Sequence, residues 1–414
     1  MSASGSTAGY RIHTENSLRH LIDQLPQVEA RLGGGAASWD IREIGDGNLN
    51  LVFRVSGQNG GVIIKQALPY LRLVGQSWPL STARSGYEAM ALQDFGQLQP
   101  GMLPAVLHAD PINALIVMEL LQPHVPLRNA LLDGQRFDRL ADHLSTYLAN
   151  TLFRTSDGFL PVAGTAALMS RYAGNHEMAA VTDTLVFTEP FMSCSRNRWT
   201  SPELDPLVAE LKEDAALRLR VQALRRTFLN MPQALLHGDL HTSSIMVTST
   251  ETRIIDPEFV GYGPIGFDIG VLLGDLLLSY FAQAGHQPDA PAEQDYANWI
   301  LDLVEATWLE FSRKFNELHT QDRIGRMPVS GRDTPCAYFN SVFQDAAGFA
   351  AIEMMRRILG LAHVIDFELI PDRKLRSTCE RAALLVSRWI LLSDGCCDSI
   401  QAITGMARRI HTTF

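Results

Sequence analysis

The chain has 414 residues, enough for two or three domains or lobes and for a large buried core. Its 35 Lys and Arg residues and 45 Asp and Glu residues give a net charge of -10, whereas general nucleic-acid binders are usually basic. Because 46% of the residues are hydrophobic and 19% are charged, the chain is neither disordered nor fibrous. We therefore expect a globular protein that does not bind nucleic acid, with room for a local basic cleft that binds an anionic ligand.

Two features bear on the compartment. Residues 1–9 are small and polar and show no basic start followed by an apolar run, so we expect no secretory signal. The most apolar stretch, 265–284, carries Asp268 and Asp275, which favours a buried helix over a membrane span. The five cysteines show no paired or zinc-binding spacing, as is usual in a reducing compartment. These features predict a cytoplasmic protein without a membrane partner.

Apolar spacing in the first 120 residues predicts a sheet with helices. A Gly-rich turn at 57–61 is typical of a β-hairpin. The predicted elements are helices over 17–30 and 85–96, and strands over 39–44, 50–56, 62–66 and 115–119.

The remainder reads as mainly helical, so the chain belongs to the α+β class. Helical periodicity covers 137–152, 204–229, 265–284, 296–315, 340–365 and 378–392. Short strands interrupt it at 234–236, 245–247 and 253–255.

The first candidate for chemistry is the segment EIGDGNLN at 43–50, between two strands. Its glycines, Gly45 and Gly47, would let the backbone turn tightly and approach a ligand. An ordinary hairpin turn explains the same residues equally well.

The second candidate is Lys65, which emerges from an otherwise apolar strand and therefore needs a partner or solvent. Glu88, in the following helix, is a possible partner. A strand lysine paired with a helix glutamate holds the α- and β-phosphates in protein kinases. A solvent-facing edge lysine is an equally good explanation of Lys65 alone.

The third candidate combines LLHGDLHTSSI at 235–245 with IIDPEF at 254–259. Asp239 follows a buried strand, and Asp256 and Glu258 follow a hairpin shortly afterwards. Phosphoryl transfer needs one carboxylate to position the attacking hydroxyl and others to hold Mg²⁺ on the phosphates. We expect His237 to support the loop through hydrogen bonds rather than to act as the base, since geometry decides which group is a base.

The order of glycine loop, lysine, glutamate, His-Gly-Asp and second Asp resembles the protein-kinase-like fold in its aminoglycoside and choline kinase branch. Longer segments between residues 43 and 368 are similar to the methylthioribose kinase family. They are EIGDGNLNLVFRV, QSWPL, NRWTSPELD, HGDLHTSSI, DPEFVGYGPIGFDIG and RRILGLAHVIDFE. The D-x-E pair at 256–258 is a mark of that family, whereas Ser243 stands where its commoner versions have Gly.

The resemblance implies a two-lobed protein-kinase-like fold. Residues 1–120 would form a small antiparallel sheet lobe that binds nucleotide, and residues 121–414 a large helical lobe for catalysis and substrate. It further implies that ATP and Mg²⁺ are used to phosphorylate 5-methylthioribose at its anomeric hydroxyl in methionine salvage, by a homodimer.

The resemblance also implies roles for particular residues. Asp239 matches the catalytic residue, and Asp256 and Glu258 match the carboxylates near Mg²⁺. The expected nucleotide site comprises Asn48, Lys65, Glu88, Glu119, Leu120, Leu121, Asp256, Pro257 and Glu258, and the expected sugar site comprises Asp239, Arg356 and Arg357. Because neighbouring helical side chains point about 100° apart, we expect unequal roles for the two arginines, with Arg356 the more sensitive. Structural ion pairs are the alternative for both.

Two other functions remain open. A related small-molecule kinase could act on choline or another sugar, although the arginines would repel a cationic substrate. A kinase-like binding module without catalysis is the other, but Lys65, Asp239 and Asp256 together argue against it.

Overall fold

The computed structural model describes residues 9–44, 49–286, 290–322, 335–393 and 397–411. Contacts divide the chain into two compact units. The first comprises Met1–His124 and Arg253–Val260, and the second comprises Val125–Thr252 and Gly261–Phe414. The boundary predicted from sequence lies near residue 120. No sequence pattern indicated that Arg253–Val260 belongs to the first unit.

The first unit is built on a five-stranded antiparallel sheet. Its elements are α1 (Glu15–Ile22), α2 (Pro26–Leu32), β1 (Asp40–Glu43), β2 (Asn50–Ser56), β3 (Gly61–Ala67), α3 (Arg84–Leu98), β4 (Val106–Asp110) and β5 (Leu115–Glu119). The order of the strands in the sheet is β1-β2-β3-β5-β4. Strand β3 lies between β2 and β5, so that Lys65 is in register with Val52 and Ile116. One buried cluster joins Phe53, Val55 and Ile64 of the sheet to apolar residues of α1 and α2, which fixes the sheet against the two helices.

Two predictions for this unit were wrong in detail. The single helix over 17–30 is two helices, because Pro26 lacks an N–H and begins a new helix. Strand β4 was missed because most of its residues are only half-buried at the sheet edge and show no clean alternation.

The second unit is mainly helical, and its short antiparallel strands pair Ala234–Leu236 with Gly261–Gly263 and Val125–Pro126 with Ile245–Val247. Its helices are α4 (Leu127–Leu132), α5 (Leu140–Arg154), α6 (Val162–Tyr172), α7 (His176–Thr182), α8 (Asp205–Glu213), α9 (Ala215–Asn230), α10 (Gly266–His286), α11 (Ala290–Asp322), α12 (Pro335–Leu359), α13 (Ile365–Glu368), α14 (Arg373–Leu392) and α15 (Ile400–His411). The strands are β6 (Val125–Pro126), β7 (Ala234–Leu236), β8 (Ile245–Val247), β9 (Thr252–Ile254), where the chain returns to the first unit, and β10 (Gly261–Gly263).

The helix predicted over 204–229 is also two helices. Asp214 caps α9 by accepting a hydrogen bond from the Leu217 N–H at 3.0 Å, and this starts a new helix. The helix predicted over 340–365 is α12, which ends at Leu359.

Helices α10 and α12 pack closely, and this contact positions the arginine pair on α12. A Cβ atom on Gly270 or Gly274 would lie 2.6 Å from a backbone oxygen of α12, so only glycine allows this approach. Among the described residues, α10 is the helix long and apolar enough to cross a membrane, but 94% of its most apolar window is buried. It is therefore packed like a core helix, as the sequence predicted for 265–284.

Candidate active site

Lys65 of the first unit lies among three carboxylates: Glu88 of α3, and Asp256 and Glu258 of the segment after β9. We call these four residues the carboxylate cluster. Lys65 Nζ is 2.8 Å from Glu88 Oε1 and 3.9 Å from Glu258 Oε2, and it also contacts Asp256 Oδ1 directly. Lys65 is buried, whereas 42% of the Asp256 side chain is exposed and can be reached by a ligand.

The carboxylate cluster holds more negative than positive charge. Burial alone would lower the pKa of Lys65, but the three carboxylates hold it above its usual range. Burial raises the pKa of Glu88 to about 8, although Lys65 acts against this rise. Burial likewise raises the pKa of Glu258. One ammonium cannot compensate three carboxylates, two of them buried, so the cluster favours binding of a further cation.

The donor set fits a hard metal ion. Glu88, Asp256 and Glu258 each offer one carboxylate oxygen, and these oxygens lie within 4.8 Å of one another. Oxygen donors of this kind are what Mg²⁺ and Ca²⁺ prefer. Asp256 is open to a ligand and Glu258 lies two residues further on the same segment, so these two are the residues that would hold the metal.

Two buried residues that the sequence analysis missed support Glu258. Asn50 Nδ2 donates to Glu258 Oε2 at 2.6 Å, and Arg84 Nη2 donates to Asn50 Oδ1 at 2.9 Å. Arg84 also donates to the Leu49 carbonyl, so it ties the start of β2 to the start of α3. The position of Asn50 at the end of the glycine-rich segment 43–50 was the available signal.

The other residues that the sequence analysis expected at the nucleotide lie outside the carboxylate cluster. Glu119 ends β5, where it accepts a hydrogen bond from the Ala105 N–H at 3.2 Å. Leu120 and Leu121 follow directly and are half-buried, and Pro257 is buried between the two metal-site candidates. Asn48 lies outside the described residues, so its expected role stays a prediction, as do those of Leu120 and Leu121 at adenine.

In the second unit, residues 237–244 form the loop that carries Asp239. The backbone N–H groups of His237 and Gly238 donate to Asp268 at 2.7 and 2.9 Å, and Gly238 has a φ of 87°, which favours glycine. His237 Nδ1 accepts a hydrogen bond from the Asp239 N–H at 3.3 Å. His237 therefore supports the loop rather than serving as a free base. Burial raises the pKa of Asp268 to about 7, although its two backbone donors act against the rise.

Asp239 is surrounded by hydrogen-bond donors and positive charge. His241 Nε2 lies 3.2 Å from Asp239 Oδ2, and Arg356 Nη2 lies 3.1 Å from Asp239 Oδ1. Burial alone would raise the pKa of Asp239, but the imidazole and the two arginine guanidinium groups hold it well below its usual range. The low pKa keeps Asp239 ionised. Because 25% of its side chain is exposed, a ligand can reach this carboxylate.

One glutamate aligns the two arginines, although adjacent helical side chains point about 100° apart. Glu353, one turn earlier on α12 and fully buried, accepts hydrogen bonds from Arg356 Nε at 2.5 Å and Arg357 Nε at 2.7 Å. Both guanidinium groups therefore approach Asp239, that of Arg357 to 3.7 Å. The ion pairs considered as the alternative are present, and both arginines also lie beside Asp239, while their expected role at the sugar stays a prediction. The i,i+3 and i,i+4 spacing to Glu353 was the missed signal.

The two arginines differ in one respect. Arg356 Nη2 is already hydrogen-bonded to Asp239, whereas Arg357 Nη2 is buried and has no hydrogen-bond partner among the described residues. A buried donor without a partner is costly, and a ligand oxygen would satisfy it. Arg357 therefore offers the free donor at this site.

A buried ionic network anchors the other end of the loop. Arg128 of α4 makes two hydrogen bonds to Asp275, at 2.7 and 2.8 Å, and also pairs with Asp366. Its Nε donates to Ser243 Oγ at 2.7 Å, and Asp275 accepts from the Thr242 N–H at 2.7 Å. The serine that replaces the expected glycine thus adds a tether, which the sequence could not reveal because Arg128 lies 115 positions away.

The clustered lysine and carboxylates of the first unit, and the ionised aspartate on a His-Gly-Asp loop of the second, define a phosphotransferase of the kinase-like class. The model of the phosphotransferase enzyme family matches residues 40–306, more than half of the chain. Methylthioribose kinase 1 of Oryza sativa subsp. japonica is 43% identical over 394 residues, 92% of either chain. Methylthioribose kinase of Escherichia coli O45:K1 is 39% identical and covers 93% of this chain and 94% of its own. The chain belongs to the methylthioribose kinase family.

A solved choline/ethanolamine kinase family protein from Mesorhizobium loti aligns with 95% of this chain and 99% of its own. At 12% identity and a TM-score of 0.44, it is too distant to inform the assignment further.

Proposed function

We propose that the protein transfers the γ-phosphoryl group of ATP to the anomeric hydroxyl of 5-methylthioribose, giving 5-methylthioribose 1-phosphate in methionine salvage. Relatives named methylthioribose kinase, about 40% identical over some nine-tenths of the chain, support this reaction. The structural observation that carries the proposal is Arg357 Nη2, which has no hydrogen-bond partner in the described part of the chain and lies 3.7 Å from the ionised carboxylate of Asp239. Together they offer a donor and an acceptor to a hydroxylated ligand.

Asp239 would accept a hydrogen bond from the attacking hydroxyl and take its proton as the phosphoryl group is transferred. Its low pKa makes it a weak base, so its main contribution is to orient the hydroxyl, as positioning dominates phosphoryl transfer. The imidazole of His241 and the Arg356 guanidinium keep the carboxylate ionised for that task.

On the nucleotide side, Lys65 would bind the phosphates while Glu88 holds its ammonium in place. Asp256 and Glu258 would hold Mg²⁺, which supplies neutralisation of charge on the phosphate oxygens when bound. Glu119, Leu120 and Leu121 would present backbone groups to adenine.

A neutral sugar suits the acceptor site better than a cation does. The two guanidinium groups would repel a quaternary ammonium substrate, whereas they can donate hydrogen bonds to hydroxyl oxygens. A choline-like substrate is therefore the weaker candidate. The proposal includes a cytoplasmic location and a homodimer, and light scattering of the purified chain would test the dimer.

The test is ³¹P NMR of reaction mixtures that contain the protein, ATP, and 5-methylthioribose, ribose or choline. We expect an anomeric phosphate signal with 5-methylthioribose, dependence on added Mg²⁺, and loss of the signal with EDTA. Turnover of choline in preference to 5-methylthioribose, or hydrolysis of ATP without a sugar phosphate, would contradict the proposal. A protein with Asp302→Asn, an exposed carboxylate paired with Arg408, is the matched control and should remain active.

A further inference from the structure

The second unit contains a cavity whose lining residues have not been discussed so far. Its volume is about 370 Å³, and its walls come from the 198–200 segment and from residues 363–380. The lining residues do not include Asp239, Arg356 or Arg357. The family segments NRWTSPELD and RRILGLAHVIDFE both contribute to its walls, although the proposed reaction gives these wall residues no task.

Glu380 of α14 leaves an unsatisfied acceptor in this cavity. The residue is 2% exposed, and Thr200 forms a hydrogen bond with its carboxylate. Its other oxygen, Oε2, is buried and has no hydrogen-bond partner among the described residues. Burial raises the pKa of Glu380 to about 7. A buried carboxylate oxygen without a donor is unfavourable, and a ligand with a donor group would relieve that cost.

The cavity also presents positive charge. Arg376 donates to the backbone carbonyls of Ile370, at 2.8 Å, and Glu368, at 3.0 Å. These acceptors are neutral, and the positive charge of Arg376 also acts on Glu380, whose pKa it lowers against the effect of burial. Arg198 pairs with the Glu368 carboxylate at 2.9 Å, and its side chain is 55% exposed. A guanidinium in this setting favours a ligand carboxylate.

Trp199 gives the same cavity an apolar surface. Its ring Nε1 donates to Asp205 at 2.7 Å, and Lys212 Nζ lies 4.5 Å from the ring centroid. These two contacts hold the ring in place, and Pro371 adds further apolar surface.

We propose that this cavity binds a free α-amino acid with an apolar side chain. The ammonium group would donate to Glu380 Oε2, the carboxylate would pair with Arg376 and Arg198, and the side chain would pack on Trp199. A zwitterionic amino acid supplies both a donor for Glu380 Oε2 and a carboxylate for the arginines, because its ammonium and carboxylate groups are separated by one carbon atom. The volume lies at the small end of the range for small-molecule sites, which suits such a ligand.

The experiment is isothermal titration calorimetry and thermal unfolding of the full chain with a panel of L-amino acids at millimolar concentration. We expect one-to-one binding of at least one apolar amino acid, together with a raised melting temperature. The matched probes are the same compounds without the ammonium group or without the carboxylate, and both should bind at least about tenfold more weakly. Absence of binding by every amino acid would overturn the proposal.

Two variants locate the site. Glu380→Gln keeps the shape of the side chain but removes its charge, and Arg198→Gln removes an exposed guanidinium whose loss leaves the core intact. Each should weaken amino-acid binding about tenfold while leaving phosphoryl transfer unchanged. Arg313→Gln, an exposed arginine that pairs with Glu310 and Glu317, is the control and should bind as the unaltered chain does. Unchanged binding in both site variants would place the ligand elsewhere and overturn the proposal.

Discussion

The two charged clusters use similar residue types but reach different charge balances. The carboxylate cluster combines three carboxylates with one ammonium, and the nearest further cation, Arg84 Nε, lies 3.8 Å from Glu258. The acceptor cluster, by which we mean Asp239, His241, Glu353, Arg356 and Arg357, has two carboxylates and two guanidinium groups. The first is short of positive charge, whereas the second is balanced by its own side chains.

This difference determines what each cluster can do. In the acceptor cluster, the surrounding cations hold the pKa of Asp239 well below its usual range, so the group is ionised without any ligand. In the carboxylate cluster, burial raises the pKa of Glu88 and Glu258, which indicates a demand for another cation. The ratio of charges, rather than the presence of aspartate or glutamate, distinguishes the site proposed to orient a hydroxyl from the site proposed to bind a metal.

The largest expected effect comes from removing the central charge of the acceptor cluster. Asp239→Asn should lower kcat about a thousandfold, equivalent to about 4 kcal/mol, because it keeps the shape but loses the acceptor charge. Nucleotide affinity, measured by titration with an ATP analogue, should stay unchanged. A variant that keeps more than about a tenth of the rate would show that Asp239 is not the catalytic residue.

The arginines allow a finer test of the same cluster. Arg357→Lys should weaken 5-methylthioribose binding about thirtyfold, because lysine loses the planar set of donors that includes the unpartnered Nη2. Arg356→Lys should affect sugar affinity less, since Arg356 is already bound to Asp239. This reverses the sensitivity expected from sequence alone. Calorimetry with a non-hydrolysable ATP analogue measures both, and equal losses would contradict the assignment of the free donor.

The charge balance itself can be tested through pH. Arg356→Gln removes a cation that lowers the pKa of Asp239, so this pKa should rise in the variant. Asp239 must be ionised to act, so activity should be lost on acidification at a pH about one unit higher than in the unaltered protein. The profile of kcat against pH, with a melting curve at each pH, measures the shift. An unmoved acidic limb would show that Arg356 does not set the ionisation of Asp239.

The carboxylate cluster should respond to metal instead of sugar. Glu258→Gln keeps an oxygen ligand but removes a charge that a hard cation prefers, so the Mg²⁺ concentration for half-maximal activity should rise about tenfold. The KM for 5-methylthioribose should not change. An unaltered Mg²⁺ titration would make Glu258 a structural residue and leave Asp256 to hold the metal.

The smallest effect concerns the tether of the Asp239 loop. Ser243→Gly removes the hydroxyl that accepts from Arg128, and kcat should fall about threefold while the KM for ATP stays constant. Ser243→Ala also removes the hydroxyl but keeps the backbone as restricted as before. If the alanine variant retains full kcat, the tether has no role in positioning Asp239.

Sequence patterns predicted the elements whose periodicity is strong and local. Strand β2, at Asn50–Ser56, has the predicted bounds, and the family segments correctly indicated a kinase-like α+β fold. Boundaries failed where one side chain decides them, as at Pro26 and Asp214, because a cap or a missing N–H interrupts an otherwise continuous apolar pattern.

The candidate site was predictable where its residues lie in motifs. Lys65 and Glu88 form the pair that the sequence suggested, at 2.8 Å. Supporting residues such as Asn50, Arg84 and Arg128 were missed, because their contacts join distant parts of the chain through hydrogen bonds that leave no periodic signature. Glu353 is the exception, since its helical spacing to the arginines could have been recognised.

The backbone at Asp256 has a φ of 69°, a left-handed conformation that few residues other than glycine adopt readily. Aspartate and asparagine are the side chains that accept this geometry at the lowest cost, so the backbone restricts which residues can stand here before any metal is considered. A saturation library at this position should therefore yield soluble protein mainly with Asp, Asn and Gly. Of these, only Asp would carry the charge, so this position should tolerate almost no evolutionary drift.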